Sequence, residues 1–196
     1  MLVSAIVLAA GESARMGRQK ALLPWEGATL LEYQFAQLSA LTEVSEIIVV
    51  TGHEPARITE IASSAERARV AHNGEYRSGK VGSILTGLRA TAANADAVML
   101  LAVDQPRATA VLRTVIETHA SSGSLIAVPV HRGRRGHPPI IRCELLPELL
   151  AMTEETQGLR AVMLRHDADI CEVECDASVL VDLNQPGDVS SVSESG

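Results

Sequence analysis

The side chains best suited to bind a polyphosphate lie directly after the first apolar segment of the chain. Residues 3–10 form a largely apolar run that ends at Gly11, and the loop that follows carries Ser13, Arg15 and Lys20. A glycine-bearing loop can turn backbone N–H groups toward an anion, and basic side chains add positive charge. Because the formal net charge of the chain is −7, this local positive charge indicates a phosphate-rich ligand.

Two common phosphate-binding motifs are absent from this loop. Gly11 and Gly17 are one residue too far apart for the P-loop pattern GxxxxGK[ST], and Lys20 does not directly follow a glycine. The dinucleotide fingerprint GxGxxG is also missing, because Glu12 and Ser13 stand where its second glycine is needed.

The pattern that is present, LAAGxSxRMGxxK, resembles the signature of the MobA-like NTP transferases, in particular their molybdenum cofactor cytidylyltransferase branch. The matching positions are Leu8, Ala9, Ala10, Gly11, Ser13, Arg15, Gly17 and Lys20. The resemblance implies that residues 8–11, with Ser13, hold the nucleotide, and that Arg15 and Lys20 neutralise its β- and γ-phosphates and are catalytic. The structural alternative is a tight strand-to-helix turn with incidental basic residues.

A carboxylate follows the clearest later strand of the sequence. Residues 97–103 are apolar and lead directly into Asp104, at the end of a strand, where open α/β sheets bind ligands. An oxygen ligand beside a triphosphate suits Mg²⁺. The segment LLAVDQPR resembles that of the cytidylyltransferase branch, which implies that Asp104 is catalytic and the first metal ligand. The alternative is an N-cap for the helix that begins near Pro106.

Asp182 and Asn184 stand in the segment VDLNQPGD near the C-terminus. Similar family members carry an Asp–hydrophobe–Asp/Asn–Thr–Pro–Glu–Asp segment, in which one of the first two polar positions is the second metal ligand. The chain departs from that pattern, because Gln185 replaces Thr and Gly187 replaces Glu. Which of Asp182 and Asn184 binds metal stays open, and a turn closed by its own Asx side chains is the alternative.

Two further segments carry parts of the same resemblance. Asn73, Gly79 and Ser83 match a family pattern that helps to hold the nucleotide, although a turn before a helix N-terminus is an equal alternative.

The second segment, Gly136-His137-Pro138, resembles the GHP of the cytidylyltransferase branch and implies binding of the phosphorylated acceptor. The arginine-rich residues 132–135 before it suit a phosphate on that acceptor. Alternatively, His137 braces the turn and the arginines form a solvated surface.

These residues require a sheet whose strand ends meet at one edge. Apolar runs at 3–10, 47–50, 97–103 and 124–130 alternate with segments of helical periodicity. The alternation predicts the α/β class, a three-layer α/β/α Rossmann-like nucleotidyltransferase domain with a mostly parallel sheet.

The chain is predicted to form a single domain. Its 196 residues are enough for one aliphatic core, which we place within residues 1–189. A last strand is predicted at 179–182, and the Ser-rich residues 190–196 are expected to fray.

Composition narrows the possible partners and compartment. The net charge of −7 and the presence of only one Trp, one Phe and two Tyr count against nucleic-acid binding. No apolar stretch reaches membrane-spanning length, and the N-terminus enters a strand directly. Cys143, Cys171 and Cys175 have no zinc-ligand spacing. We therefore expect a cytoplasmic protein that binds neither nucleic acid nor membrane.

The resulting hypothesis is an Mg²⁺-dependent nucleotidyltransferase that moves NMP from an NTP to a phosphorylated acceptor and releases pyrophosphate. The resemblance implies CTP as the nucleotide, molybdopterin as the acceptor, and docking to a molybdoenzyme or its chaperone. Two alternatives stay open. One is a nicotinamide-dependent oxidoreductase on the same fold, and the other is a non-catalytic molybdenum cofactor carrier or chaperone.

Overall fold

The computed structural model describes residues 1–13 and 17–183. The strands in these residues are β1 (Val3–Ala9), β2 (Pro24–Trp25), β3 (Ala28–Thr29), β4 (Val44–Thr51), β5 (Ala68–His72), β6 (Ala97–Ala102), β7 (Ile126–His131), β8 (Arg134–Arg135), β9 (Ile140–Arg142) and β10 (Ile170–Glu174). Their α-helices are α1 (Leu30–Ser39), α2 (Ala56–Ser63), α3 (Lys80–Ala90), α4 (Thr109–Ser122), α5 (Leu146–Leu150) and α6 (Leu159–Arg165). None of the helices in this described part is both long and apolar enough to cross a membrane.

The main sheet has the strand order β10-β7-β9-β6-β1-β4-β5, with β8 paired to β7. Its centre is parallel, since β1 pairs in parallel with β4 and β6, and β4 with β5. The pair β7 and β10 is also parallel, whereas β9 runs antiparallel between β6 and β7. The short strands β2 and β3 form a separate hairpin. The predicted α/β class with a mostly parallel sheet is confirmed.

The register of the three central strands brings their carboxyl ends to one edge. Leu8 of β1 is aligned with Val50 of β4 and with Ala102 of β6. The chain leaves these strands within the next few residues, so Gly11 and Asp104 follow from the same edge of the sheet. This is the position at which parallel sheets bind ligands.

Helices cover both faces of the sheet through aliphatic side chains. One buried cluster joins α1, α2 and α4 to the sheet, and a second cluster joins α3, α5 and α6 to the opposite face. Within β1, Val7 belongs to the first cluster and Ile6 to the second. Neighbouring side chains of a strand point to opposite faces, so a strand buried on both faces must be apolar throughout. The result is the predicted three-layer α/β/α arrangement.

Local sequence signals fix where several helices begin and end. At the start of α1, the Thr29 hydroxyl accepts a hydrogen bond from the backbone N–H of Glu32, and the Glu32 carboxylate accepts one from the N–H of Thr29. This reciprocal pair is a capping box. Helix α4 ends at Gly123, which adopts the left-handed conformation that glycine favours.

The strand predicted at 179–182 is wrong. The chain forms a 3-10 turn over Ala177–Leu180 instead. The carbonyl of Val179 accepts a hydrogen bond from the His137 N–H (3.1 Å) and another from Arg107 Nη2 (2.9 Å). Val179 is buried against the loop of His137 and the side chain of Arg107 instead of within a sheet, and either kind of burial requires an apolar residue. The predicted tail, residues 190–196, lies outside the described residues.

Candidate active site

A cavity of about 520 Å³ opens at the carboxyl edge of β1 and β6. Most of the residues that the sequence assigned to nucleotide binding line it, namely residues 8–11, Ser13, Lys20, Gly79 and Ser83, and so does Asp104, the predicted first metal ligand. Its volume lies within the range of about 300–1,000 Å³ that small-molecule sites occupy. These predicted residues, which come from three separate segments of the chain, therefore meet around one space.

The loop after β1 is held by its own polar side chains. The Ser13 hydroxyl accepts a hydrogen bond from the Lys20 backbone N–H (3.1 Å), across the loop. The buried Gln19 side chain donates through Nε2 to the carbonyls of His53 (2.5 Å) and Glu54 (3.1 Å), which follow β4. Gln19 was not predicted as part of the site. It anchors the loop to the neighbouring strand and so fixes where Lys20 can reach.

Lys20 and Asp104 form an ion pair across the cavity. The Lys20 ammonium lies 2.5 Å from Asp104 Oδ2, and the two side chains are 16% and 18% exposed. Both groups keep access to the open cavity, so neither is sealed away from a ligand. An ammonium donates up to three hydrogen bonds, so Lys20 could also bind a phosphate oxygen.

The chain contains two lysines, Lys20 and Lys80, and both line this cavity. Lys80 is the first residue of α3, directly after Gly79, and its side chain is exposed. Sequence analysis missed Lys80, although the rarity of lysine in this chain and its place in the glycine-bearing segment SGKVG were available signals. Two ammonium groups therefore face one cavity in an otherwise acidic protein.

The segment between β5 and α3 is locked by hydrogen bonds. Asn73 Nδ2 donates to the Ser83 hydroxyl (3.0 Å), and Asn73 Oδ1 accepts from the Glu75 N–H (3.0 Å). Ser83 lines the cavity, whereas Asn73 is buried behind it. The structure thus brings Gly79 and Ser83 to the cavity wall and places Asn73 where it supports Ser83.

Gly79 separates this segment from the helix and has a conformation that other residues rarely adopt. Its φ is 128°, and a side chain here would collide with the carboxylate of Glu154. That carboxylate accepts a hydrogen bond from the Val81 N–H (2.6 Å) at the start of α3. Glu154 therefore caps the helix beside the cavity, which is favourable because helix N-termini carry partial positive charge.

A second ion pair joins Glu12 to Arg77, beside Tyr76 of the cavity wall. Arg77 Nε donates to Glu12 Oε1 (2.6 Å), and the Tyr76 hydroxyl donates to the same oxygen (3.2 Å). These contacts hold the pKa of Glu12 below its usual range. Glu12 belongs to the first loop and Arg77 to the segment before α3, so the pair connects the two loops that flank the cavity.

Arg107 is the buried cation of the site region and was also missed, although it belongs to the quoted segment LLAVDQPR. It is 2% exposed, and its guanidinium donates hydrogen bonds to four backbone carbonyls. The acceptors are Pro106 (2.8 Å), His137 (2.9 Å), Val179 (2.9 Å) and Val181 (3.0 Å). Arg107 therefore ties the loop after β6 to both the GHP segment and the C-terminal segment.

Burial lowers the pKa of Arg107 to about 10, and the negative charges of Asp182 and Asp104 oppose that shift. The guanidinium is still charged at neutral pH. Asp182 is close to this group, and the adjacent Leu183 donates its N–H to the carbonyl of Asp104 (2.9 Å). The two candidate metal ligands, Asp104 and Asp182, thus lie on segments that are hydrogen-bonded to each other.

Few side chains near the first cavity could act as metal ligands. Across residues 1–13 and 17–183, no cluster of three or more His, Cys, Asp or Glu side chains is arranged to hold a metal ion. Asp104 lines the first cavity, Asp182 is exposed on the segment that is hydrogen-bonded to the Asp104 carbonyl, and both Asn184 and Arg15 lie outside the described residues. A cation bound here would need ligands from its substrate, which is how proteins commonly bind Mg²⁺.

The GHP segment lies beside a second cavity of about 250 Å³. His137 lines this cavity, whereas Gly136 and Pro138 are buried behind it. Gly136 packs so closely on the Val179 carbonyl that a side chain would collide with it. Desolvation, followed by the positive charges of Lys80 and Arg107, lowers the pKa of His137, so its imidazole favours the neutral form.

The arginines before the GHP segment contact other side chains or solvent, and not the second cavity. Arg135 makes ion pairs with Asp167 (2.7 Å) and Glu172 (2.8 Å). Neither Arg132 nor Arg134 lines either of the two cavities, and both are exposed. The residues 132–135 therefore correspond to the solvated surface that the sequence offered as the alternative.

Comparison with known proteins places this architecture. Residues 5–170 match the model of the MobA-like NTP transferase domain. The chain is 29% identical over 194 residues to the molybdenum cofactor cytidylyltransferase of Escherichia coli (strain K12), covering 98% of this chain and 96% of that protein. It is 35% identical over 129 residues to the molybdenum cofactor guanylyltransferase of Xanthomonas euvesicatoria pv. vesicatoria (strain 85-10), covering 65% and 55%, respectively.

Its fold is similar to the crystal structure of Rv0371c from Mycobacterium tuberculosis H37Rv, with a TM-score of 0.82, 24% sequence identity and full coverage of both chains. The family match covers most of the chain and includes the strand ends that build the first cavity. The resemblance inferred from the first loop is confirmed, and the chain belongs to the MobA-like NTP transferase family and is a nucleotidyltransferase.

Proposed function

We propose that the protein transfers NMP from an NTP, with Mg²⁺, to a phosphorylated small-molecule acceptor, and that CTP and molybdopterin are its substrates. One observation supports the transfer above all. Lys20, Asp104 and the backbone of residues 8–11 converge on one cavity of about 520 Å³ at the carboxyl edge of a parallel sheet. The choice of substrates is supported by the similarity to a cytidylyltransferase over nearly the whole chain.

In this proposal, residues 8–11, Gly79 and Ser83 bind the base and ribose. Lys20 and Lys80 neutralise phosphate oxygens. Arg15 lies outside the described residues, and its assignment to the β- and γ-phosphates rests on the sequence resemblance alone. Lys20 contacts Asp104, so in this proposal its ammonium group also donates a hydrogen bond to a phosphate oxygen of the nucleotide.

The residues at the cavity edge fit Mg²⁺. This ion prefers hard oxygen ligands and takes one or two carboxylates from the protein, with phosphates and water completing its shell. Asp104 and either Asp182 or Asn184 would supply the protein ligands. When bound, Mg²⁺ would neutralise charge on the α-phosphate and on the leaving pyrophosphate.

The chemistry needs no nucleophile from the protein. A phosphate oxygen of the acceptor attacks the α-phosphorus of the NTP, and the bond from that phosphorus to the pyrophosphate oxygen breaks. A phosphate monoester is already ionised at neutral pH, so no strong base is required. The side chains of this site position the two phosphates and neutralise the charge that develops.

The proposal also specifies the nucleobase of the NTP, which is cytosine. Relatives named as cytidylyltransferase and as guanylyltransferase both match this chain, so the preference for CTP over GTP must be measured directly. We would incubate the protein with CTP, GTP or ATP, Mg²⁺ and molybdopterin and measure pyrophosphate release. CTP is expected to give the highest rate, and absence of release with every NTP would contradict the proposal.

A paired set of variants shows whether the carboxylate matters. Asp104→Asn should abolish the thermal stabilisation that NTP and Mg²⁺ confer. Asp169→Asn is the matched control, because Asp169 is exposed and precedes β10, at the opposite end of the strands. NADH binding in place of pyrophosphate release would favour the oxidoreductase alternative. Tight pterin binding without Mg²⁺ or turnover would favour the carrier.

A further inference from the structure

Helix α1 carries one polar residue among the side chains that it buries. The buried residues of α1 are Leu30, Leu31, Gln34, Phe35 and Leu38. Gln34 is 1% exposed, and an apolar side chain of similar volume would fill this place without the loss of hydration that an amide suffers. The presence of an amide at this position therefore has to be explained by the hydrogen bonds that it makes.

The amide group of Gln34 reaches the end of β6. Its Nε2 donates hydrogen bonds to the carbonyls of Ala102 (3.1 Å) and Val103 (2.9 Å). An amide NH2 group has two protons, and the two carbonyls use both of them. Gln34 Oε1 is buried and has no hydrogen-bond partner among residues 1–13 and 17–183. The donation to β6 is therefore the contribution that a leucine or methionine could not make.

Strand β6 extends past the point where its two neighbours hold it. The register with β9 ends at Met99, and the register with β1 ends at Ala102. Val103 and Asp104 therefore lie past the end of both ladders, where strand pairing no longer supplies regular hydrogen bonds. The hydrogen bond from Gln34 to the Val103 carbonyl comes instead from the helix layer and helps to fix this segment.

The Val103 carbonyl belongs to the peptide unit that leads into Asp104. A peptide unit is planar, so the direction of its C=O also constrains the position of the next Cα. The following peptide unit is held as well, because the Asp104 carbonyl accepts a hydrogen bond from the Leu183 N–H (2.9 Å). Gln34 and Leu183 thus hold the two peptide planes that meet at the Cα of Asp104, and the carboxylate leaves from a fixed backbone.

We propose that Gln34 is a positioning residue for the Asp104 carboxylate. It acts from behind the first cavity, which Asp104 lines and Gln34 does not, and it contacts neither nucleotide nor metal. The inference rests on the proposed function, in which Asp104 is a ligand of Mg²⁺. Removal of a group that orients a metal ligand typically weakens metal binding by about 10–100-fold, and the same range is expected here.

The test replaces the amide by an apolar side chain of similar volume in Gln34→Met. The intact protein with CTP and no acceptor is titrated with Mn²⁺, a paramagnetic substitute for Mg²⁺, and bound metal is followed by water proton relaxation against CTP alone. The dissociation constant of Mn²⁺ should rise by about 10–100-fold. In metal-free protein, amide hydrogen exchange of residues 101–107 should become faster, because the segment has lost a tie.

Gln37→Met is the matched control on the same helix. Gln37 Oε1 accepts hydrogen bonds from the N–H (2.9 Å) and the hydroxyl (2.7 Å) of Thr109, at the start of α4. The same substitution thus removes two hydrogen bonds without touching β6, and its Mn²⁺ affinity should match that of the wild type. Equal losses of affinity in the two variants, or unchanged exchange of residues 101–107 in Gln34→Met, would overturn the positioning role.

Failure of the proposed function gives a different result. If the wild type with CTP binds no Mn²⁺, the metal assignment of Asp104 fails and the positioning role fails with it. If the wild type binds Mn²⁺ and Gln34→Met binds it equally tightly, the proposed function stands and the positioning role alone is overturned. Should Gln34→Met not fold, Gln34→Asn replaces it in the same titration, because its shorter amide would not reach both carbonyls.

Discussion

Two cations near Asp104 are held in opposite ways. Lys20 contacts the carboxylate itself and keeps 16% of its side-chain surface exposed in an open cavity. Arg107 is 2% exposed and gives its hydrogen bonds to the carbonyls of three chain segments. A phosphate can compete for the first cation, whereas the second has no surface left to offer. One positive charge is thus accessible to a ligand, whereas the other is taken up entirely by contacts between chain segments.

The contrast separates the chemistry of the site from its architecture. Lys20 can be changed with little loss of packing, because its side chain is partly exposed in an open cavity. Arg107 cannot, because it joins the loop after β6 to the GHP segment and to the segment that carries Asp182. Variants at the two positions should therefore fail in different assays.

The largest effect is expected for Arg107→Met. Removing the guanidinium leaves buried carbonyls without donors, and we expect a loss of about 3–5 kcal/mol in the free energy of unfolding. Thermal denaturation should show a fall of roughly 6–20 °C in Tm. Arg89→Met, an exposed change in the last turn of α3, serves as the control. A Tm close to the wild-type value for Arg107→Met would contradict the structural role.

Lys20→Met should have the opposite profile. We expect kcat/KM for nucleotidyl transfer to fall by about 10²–10³-fold, because a cation that stabilises transition-state charge is lost. The Tm should stay within a few degrees of wild type, since the ion pair is open to solvent. Arg18→Met is the control, because Arg18 is exposed on the same loop and lines neither cavity. Equal losses in both variants would argue against a specific role for Lys20.

A smaller effect is expected on acidification. Burial lowers the pKa of both His119 and His137 below the ordinary value. Near and just below pH 6.5, the unfolded chain therefore binds more protons than the folded chain, so stability should fall as the pH falls from 7.5 to 5.5. The stability that the neutral imidazoles contribute is fully present above the pKa that they have in the unfolded chain. It is lost as the pH falls through their lower pKa in the folded protein.

His119 offers the cleaner variant, since its side chain is fully buried. Urea denaturation of His119→Leu at the two pH values should show a weaker pH dependence than the wild type. An unchanged difference between the two pH values would assign the acid sensitivity to other groups.

Much of the site could be predicted from sequence because it lies where pattern and topology agree. The run at 3–10 and the run before Asp104 predict buried strands, and parallel pairing then brings their ends together. The spacing of the glycine, serine and basic residues in the first loop then indicated the family. For these residues, local sequence already contains the information that the fold uses.

The residues that were missed depend on contacts between distant segments. Arg107 looks like any arginine in a loop until its partners, more than 70 residues away, are known. The segment at 179–182 was mistaken for a strand for the same reason, since apolar composition does not distinguish pairing with a strand from burial under a loop. Lys80 was missed because its place on the wall of both cavities depends on how distant segments of the chain fold together.

The scarcity of lysine has a practical consequence. Among the side chains of these 196 residues, amine-reactive esters can acylate two, namely the ammonium groups of Lys20 and Lys80. Both of them line the first cavity. Immobilising the protein on a sensor chip by amine coupling would tether many molecules through their own binding site, so affinity measurements on this protein should use a tag or a cysteine instead.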